Sequence, residues 1–171
     1  MTVSRSAFCV LLSGFALCGC GTDYAWRSKV PQEMRTISVP TFRNESDLQQ
    51  AGSIATRQVL REFQREGTFK ISTPGDAALQ VQGLVKSVAS GASGYDRRHG
   101  LRLAAHEMSA EAIVSVVNKR SGKVVVDNRP YRAQATFTAG QDITTAQRDA
   151  CGRLMEDLAR QIVDDVLALD L

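Results

Sequence analysis

From Ala150 onward the chain repeats one spacing. Ala150, Leu154, Leu158, Ile162 and Val166 recur every four residues, with Cys151 and Leu169 flanking the stripe. A helix with one apolar stripe and a charged opposite face must bury that stripe against another layer. The segment immediately before it has a different period. Tyr131, Ala133, Ala135 and Phe137 alternate with Arg132, Gln134, Thr136 and Thr138, the period of a strand with one buried face. A one-faced helix next to a one-faced strand restricts the chain to a layered α+β arrangement.

The rest of the sequence follows the same logic. Met34 to Pro40 alternates apolar and polar residues and predicts a strand ended by Pro40, followed by a loop at Phe42-Arg43-Asn44-Glu45. Ser46 and Gln49 have capping-box spacing. From Leu48 the period becomes helical, with Leu48, Ala51, Ala55, Val59 and Phe63 on one face and Gly67 placed as a left-handed stop. Thr68 to Ile71 predicts a short strand and Pro74-Gly75-Asp76 a turn. Leu79, Val81, Gly83 and Val85 predict a further strand, then a Gly/Ser-rich loop near Ser90 to Gly94. Met108, Ala110, Ala112, Val114 and Val116 share one face of the next strand. Ser121-Gly122 turns the chain into the strand from Lys123, and Pro130 predicts a bulge or an edge. Thr144 and Gln147 repeat the capping-box spacing, and Gly152 inside the last helix predicts close packing there. The expected fold is a two-layer sandwich, two helices packed on one face of a four- to five-stranded, mostly antiparallel sheet.

The N-terminal residues read as an address. One cation, Arg5, precedes an apolar run from Ala7 to Leu17 that is too short to span a bilayer as a helix. The run ends in Leu17-Cys18-Gly19-Cys20, the pattern of a bacterial lipobox, in which the Cys20 thiol is the nucleophile that accepts a lipid. Two or three acyl chains such as palmitate anchor durably where one binds only marginally. Gly21, not Asp, follows Cys20, which favours the outer membrane. The organisation expected is a signal peptide over 1–19, a lipid-anchored tether over 20–33, and a single domain over 34–171. Of four cysteines only Cys151 then remains with a free thiol, which leaves no partner for a disulfide within the mature chain.

Chemistry is sparse. Of the two histidines, His99 lies among Arg97, Arg98 and Gly100, and His106 lies in a strand beside Glu107. There is no Gly-rich phosphate loop, no HExxH and no GxSxG, so no catalytic residue, metal ligand or cofactor is nominated and an enzyme is not expected. A net charge of +3 is too balanced for a general nucleic-acid binder. Its distribution is uneven: residues 86–132 carry nine cations against four acids, whereas 142–170 carry seven acids against three arginines. Arg97, Arg98, Lys119, Arg120 and Lys123 are candidate donors to lipid phosphates, a chemistry that suits Arg and Lys. Asp149, Glu156, Asp157, Asp164 and Asp165 read as a solvated helix face.

Several of these stretches together resemble a known family. The lipobox leads into a tether containing Tyr24, then Thr36-Ile37-Ser38-Val39-Pro40 and Phe42-Arg43-Asn44. A helix containing Phe63 ends in Gly67-Thr68-Phe69, and Asp76-Ala77-Ala78-Leu79-Gln80-Val81-Gln82-Gly83 opens the next strand. From about residue 20 to 169 this resembles the lipopolysaccharide-assembly lipoprotein family LptE. One detail departs from the family's pattern, since Asp76 precedes Ala77 where an Ala-Asp pair is usual. The resemblance implies an α/β sandwich of two helices and four strands, anchored to the inner leaflet of the outer membrane. It also implies a partner, an LptD-type β-barrel in which the protein sits as a plug, and a role in inserting lipopolysaccharide into the outer leaflet. The alternative from another class is a lipid-anchored structural or adaptor lipoprotein unrelated to lipopolysaccharide.

Overall fold

The structure, a computed structural model, describes residues 30–96, 102–138 and 142–169. Its elements run β1 (Thr36–Ser38), β2 (Arg43–Asn44), α1 (Ala51–Glu66), β3 (Lys70–Ile71), β4 (Leu79–Asp96), β5 (Arg102–Asn118), β6 (Val124–Phe137) and α2 (Ile143–Leu167). They form one six-stranded sheet in the order β3-β1-β4-β5-β6, with β2 also paired to β4. Both helices cover the same face, where the apolar stripes meet the inward residues of the strands.

The expected sandwich is therefore present, but the sheet has more strands than expected and is mixed. β1 pairs in parallel with both β3 and β4, while β4, β5 and β6 form an antiparallel meander. The additional strand lies in the segment expected to be a loop. β1 joins β4 at Leu79 and Gln80, and β2 rejoins it at Leu84 and Val85. The two are halves of one interrupted strand. Pro40 has no N–H to offer the ladder, and Phe42 fills the gap: its ring lies where a Cβ on Gly83 would be, 2.3 Å away.

The Gly/Ser-rich stretch near Ser90 to Gly94 is also strand. Backbone pairing continues to Asp96 opposite Arg102, with register slips around Gly94. Small side chains weaken the period-2 pattern in the sequence without weakening the backbone's ability to pair.

α1 presents Ala51, Ala55, Val59 and Phe63 to the core, as its period requires. It stops at Gly67, whose φ of 81° is left-handed. Its start departs from expectation. The capping box at Ser46 is not formed. Ser46 instead donates to Asn44 Oδ1, the Asn44 amide donates to the Leu48 carbonyl, and the helix begins at Ala51. Asn44 thus shapes the approach through side-chain bonds in a turn, competing with a cap further on.

α2 is capped by Asp142 and not by Thr144. The Asp142 carboxylate accepts from the N–H groups of Thr144 and Thr145. The stripe from Ala150 to Val166 is buried throughout, and Met155, Ala159 and Val163 widen it. Gly152 is not tightly packed, because a Cβ there meets nothing within 4 Å. The tight glycine lies on α1. A Cβ on Gly52 would stand 2.5 Å from the Phe42 carbonyl oxygen.

The meander's turns set its ends. Ser121-Gly122 closes β5 to β6 as expected, with Gly122 at φ 68°. The irregularity expected near Pro130 falls at Asp127-Asn128, where β6 carries one residue more than β5 between Val126 and Arg129. Asn128 takes a φ of 44° and its N–H bonds the Ser115 hydroxyl outside the ladder.

Candidate functional site

Lys119, Arg120 and Lys123 lie together on the β5–β6 turn. Asn118 builds it. Its buried amide oxygen accepts from the N–H groups of Arg120 and Ser121, and its own N–H donates to the Lys123 carbonyl at 2.9 Å. The Lys119 N–H reaches the Ala78 carbonyl at 2.8 Å, which fixes the turn to the start of β4. The three side chains are left exposed. Arg120 lies 3.6 Å from Glu33, a contact between two exposed groups that is worth little in water. The turn is a hydrogen-bonded backbone carrying exposed cations.

Arg97 and Arg98 lie outside the described residues, as do His99 and Cys20. The strand ends that flank Arg97 and Arg98, Asp96 and Arg102, are at the end of β5 opposite Asn118. At about 3.3 Å per residue, β5 separates its two ends by roughly 50 Å. The structure therefore brings Lys119, Arg120 and Lys123 together on one turn, and that turn lies at the end of β5 far from Arg102.

One polar cluster was missed in the sequence. Asp165, read there as part of a solvated face, is half-buried. Its Oδ2 accepts from the Tyr131 hydroxyl at 2.6 Å and lies 2.7 Å from Arg129 Nη1. Burial, with the Asp165 carboxylate as neighbour, pushes the Tyr131 phenol well above its usual range. Four residues from Asp165, the Gln161 amide donates to the Arg132 carbonyl at 3.1 Å. These bonds tie the last turns of α2 to β6. The i, i+4 spacing of Gln161 and Asp165 was visible beforehand, but nothing in the sequence announced which strand they would meet.

The described histidine, His106, stacks on Phe137 at 5.1 Å between ring centroids. Cys151 is buried, and desolvation raises its thiol above the ordinary value. Among the described residues, no three His, Cys, Asp or Glu side chains gather where they could hold a metal ion. No described helix is long and apolar enough to cross a membrane.

The model of the family LptE, described as lipopolysaccharide-assembly, matches residues 34–166 of the chain. Comparison with curated proteins finds no match. Solved structures share the fold at low identity. Protein XCC0632 of Xanthomonas campestris superposes with a TM-score of 0.60 at 13% identity, covering 81% of this chain and 88% of that one. Protein CT253 of Chlamydia trachomatis gives 0.54 at 10% identity, with coverage of 79% and 96%. The PelC dodecamer subunit of Paraburkholderia phytofirmans gives 0.51 at 14%, with 78% and 89%.

Proposed function

Because the chain belongs to the lipopolysaccharide-assembly family LptE, we propose that it is a lipid-anchored outer-membrane protein that seats in an LptD-type β-barrel and assists lipopolysaccharide insertion. The family match over 34–166 is the observation that carries this reading. In it, residues 1–19 are the signal peptide, Cys20 takes the acyl chains, and the segment to residue 33 is the tether on the periplasmic side. The work is non-catalytic: binding, positioning and assembly.

The geometry supports such a role. A plug must be stiff, and a sheet with α1 and α2 packed on one face and a fully buried stripe on α2 is stiff in that sense. The Lys119–Lys123 turn projects three cations from a fixed backbone, which suits anionic phosphate on a lipopolysaccharide headgroup. Arg97 and Arg98 are candidates for the same chemistry.

Two measurements test the reading. The full acylated protein, affinity-purified from outer membranes after crosslinking, is expected to bring a large β-barrel with it. Recovery without any barrel would favour an adaptor lipoprotein instead. Lipopolysaccharide affinity is then compared at low and physiological ionic strength for wild type and for Arg97, Arg98, Lys119 and Arg120 all changed to Glu. Binding should fall strongly in the variant and weaken with salt in wild type. Equal affinity for a folded variant would remove these residues from the site. Where binding falls, paired variants, 97/98 and 119/120, show which pair carries it.

A further inference from the structure

Residues 30–34 lie at the same end of the fold as the β5–β6 turn. Val30, 2% exposed, belongs to the core, and its carbonyl accepts from Arg35 Nε at 3.2 Å. The Met34 N–H closes onto the Pro31 carbonyl at 2.8 Å. The Met34 sulfur accepts from the Asn118 side-chain amide, and Glu33 meets Arg120 at 3.6 Å. The segment is thereby folded against Asn118, the residue that builds the turn. Whatever holds the chain before Val30 holds this end of the sheet.

This end has an asymmetric surface. At the strand ends and the loops between them stand four exposed cations, Lys70, Lys119, Arg120 and Lys123, against two exposed acids, Glu33 and Asp76. Both acids are engaged, Glu33 with Arg120 and Asp76 with the Thr73 hydroxyl at 2.8 Å. The exposed acids Glu66 and Asp164 belong to the helix layer, behind the sheet. Val124, next to Lys123, is 47% exposed, and among the described residues Ile143 alone is a comparably exposed large apolar side chain. Cations around an apolar tip are the combination that attaches a protein to the headgroups of an anionic bilayer.

Chain length limits how the domain can meet a membrane. Val30 follows Cys20 by ten residues in the sequence, and a chain spans at most about 3.3–3.6 Å per residue, roughly 35 Å here. β5 is 17 residues long and sets its far end roughly 50 Å from the turn. A tether of that length cannot let the domain stand on its far end, so it stands on the turn or lies flat. Lying flat would press either the acidic outer face of α2 or the open face of the sheet, where Glu111 holds Arg132, against the headgroups.

We infer that the Lys119–Lys123 turn docks on the anionic phospholipid headgroups of the leaflet that holds the acyl chains, with the other end of β5 directed away from it. This rests on the reading of Cys20 as the anchored residue, and it names the phosphate that the turn meets: that of the leaflet itself, ahead of lipopolysaccharide. In a barrel the same orientation sets the turn at the periplasmic rim. Each Lys or Arg near an anionic surface strengthens attachment about fivefold, so three give about a hundredfold, a second signal beside the acyl chains.

The test uses the full acylated chain in vesicles of phosphatidylethanolamine with either phosphatidylglycerol or phosphatidylcholine. A fluorophore is placed on Ser121→Cys or, as control, on Ala89→Cys, an exposed site ten residues up β4 from Leu79; Cys151 is buried and escapes the label. Energy transfer to an acceptor on the lipid headgroups reports the height of each site. The expected result is strong transfer from 121 and weak transfer from 89 with phosphatidylglycerol. The signal at 121 should fall several-fold with phosphatidylcholine, with high salt, or with Lys119, Arg120 and Lys123 all changed to Glu. Equal transfer from both sites, or transfer from 121 that ignores lipid charge and salt, would overturn the inference. The lipid and salt series decides the matter even where the triple variant does not fold. A third set of vesicles carries lipopolysaccharide in place of phosphatidylglycerol. Transfer from 121 that rises there alone would overturn the inference and leave the proposed function standing. A chain that takes no acyl label would overturn both.

Discussion

The same substitution in the two helices should act with opposite signs. On α1, Gly52→Ala puts a methyl group 2.5 Å from the Phe42 carbonyl oxygen, below the 3.0 Å that Cβ contacts respect. Phe42 cannot easily give way. Its N–H is held by the Thr56 hydroxyl at 2.9 Å, and its ring is seated over Gly83. Overpacking of this kind costs about 1–3 kcal/mol, and a gain in helix propensity of at most about 1 kcal/mol offsets part of it. On α2, Gly152→Ala meets nothing within 4 Å, so only the propensity gain remains. The two variants should therefore differ by about 2 kcal/mol, with Gly52→Ala below wild type and Gly152→Ala above it. For a chain of this size each kcal/mol moves the melting temperature by roughly 2–4 °C. Urea unfolding followed by circular dichroism measures the difference directly, with m-values unchanged if only the folded packing is affected. A neutral Gly52→Ala, or a destabilised Gly152→Ala, would refute the packing argument.

Leu158→Asp places a carboxylate in the buried stripe and should abolish cooperative unfolding, since an unpaired buried charge costs several kcal/mol, whereas Asp157→Ala next to it should change little; equal small effects in thermal melts would mean α2 does not cover the sheet. Tyr131 has a raised phenol pKa, so the stability it contributes is complete below the unfolded value near pH 10 and is lost as pH rises beyond it; in ultraviolet titration Tyr131→Phe should remove the tyrosine that resists ionisation. Asp142 is depressed by its bonds to Thr145, then Thr144, so its capping contribution holds above the ordinary carboxylate pKa and fades as pH falls through the lower folded value; Asp142→Asn should flatten that acid limb of the melting curve. Cys20→Ala should abolish labelling by a clickable fatty acid, and label retained in the variant would sink the lipoprotein reading.

Where a side chain's neighbours are fixed by a repeat, the sequence was sufficient by itself. The stripes of α1 and α2 and the inward faces of β4, β5 and β6 are buried as their periods require, with only Leu48, Gly83, Ala135 and Leu169 half-buried, because one face of a helix or strand can only be hidden from water by an opposing layer. The left-handed stop at Gly67 and the turn at Gly122 were legible for a local reason, the freedom of glycine at positive φ. The family resemblance was legible in short motifs, and the family match over 34–166 agrees with it.

What the sequence left open depends on contacts between residues far apart in the chain. Two residues, Arg43 and Asn44, carry no period, and only the free edge of β4 turns them into a strand. Gly152 and Gly52 look alike in a helical pattern, and Phe42, distant from one and ten residues before the other, decides which of them has no room. Asp165 is an ordinary surface acid until β6 brings Tyr131 and Arg129 against it. The cations of 86–132 read as one charged region, but it takes the turn built by Asn118 to set Lys119, Arg120 and Lys123 together. Period and local conformation are properties of a few consecutive residues. Pairing partner, free space and desolvation are set by whichever distant segment the folded sheet places alongside.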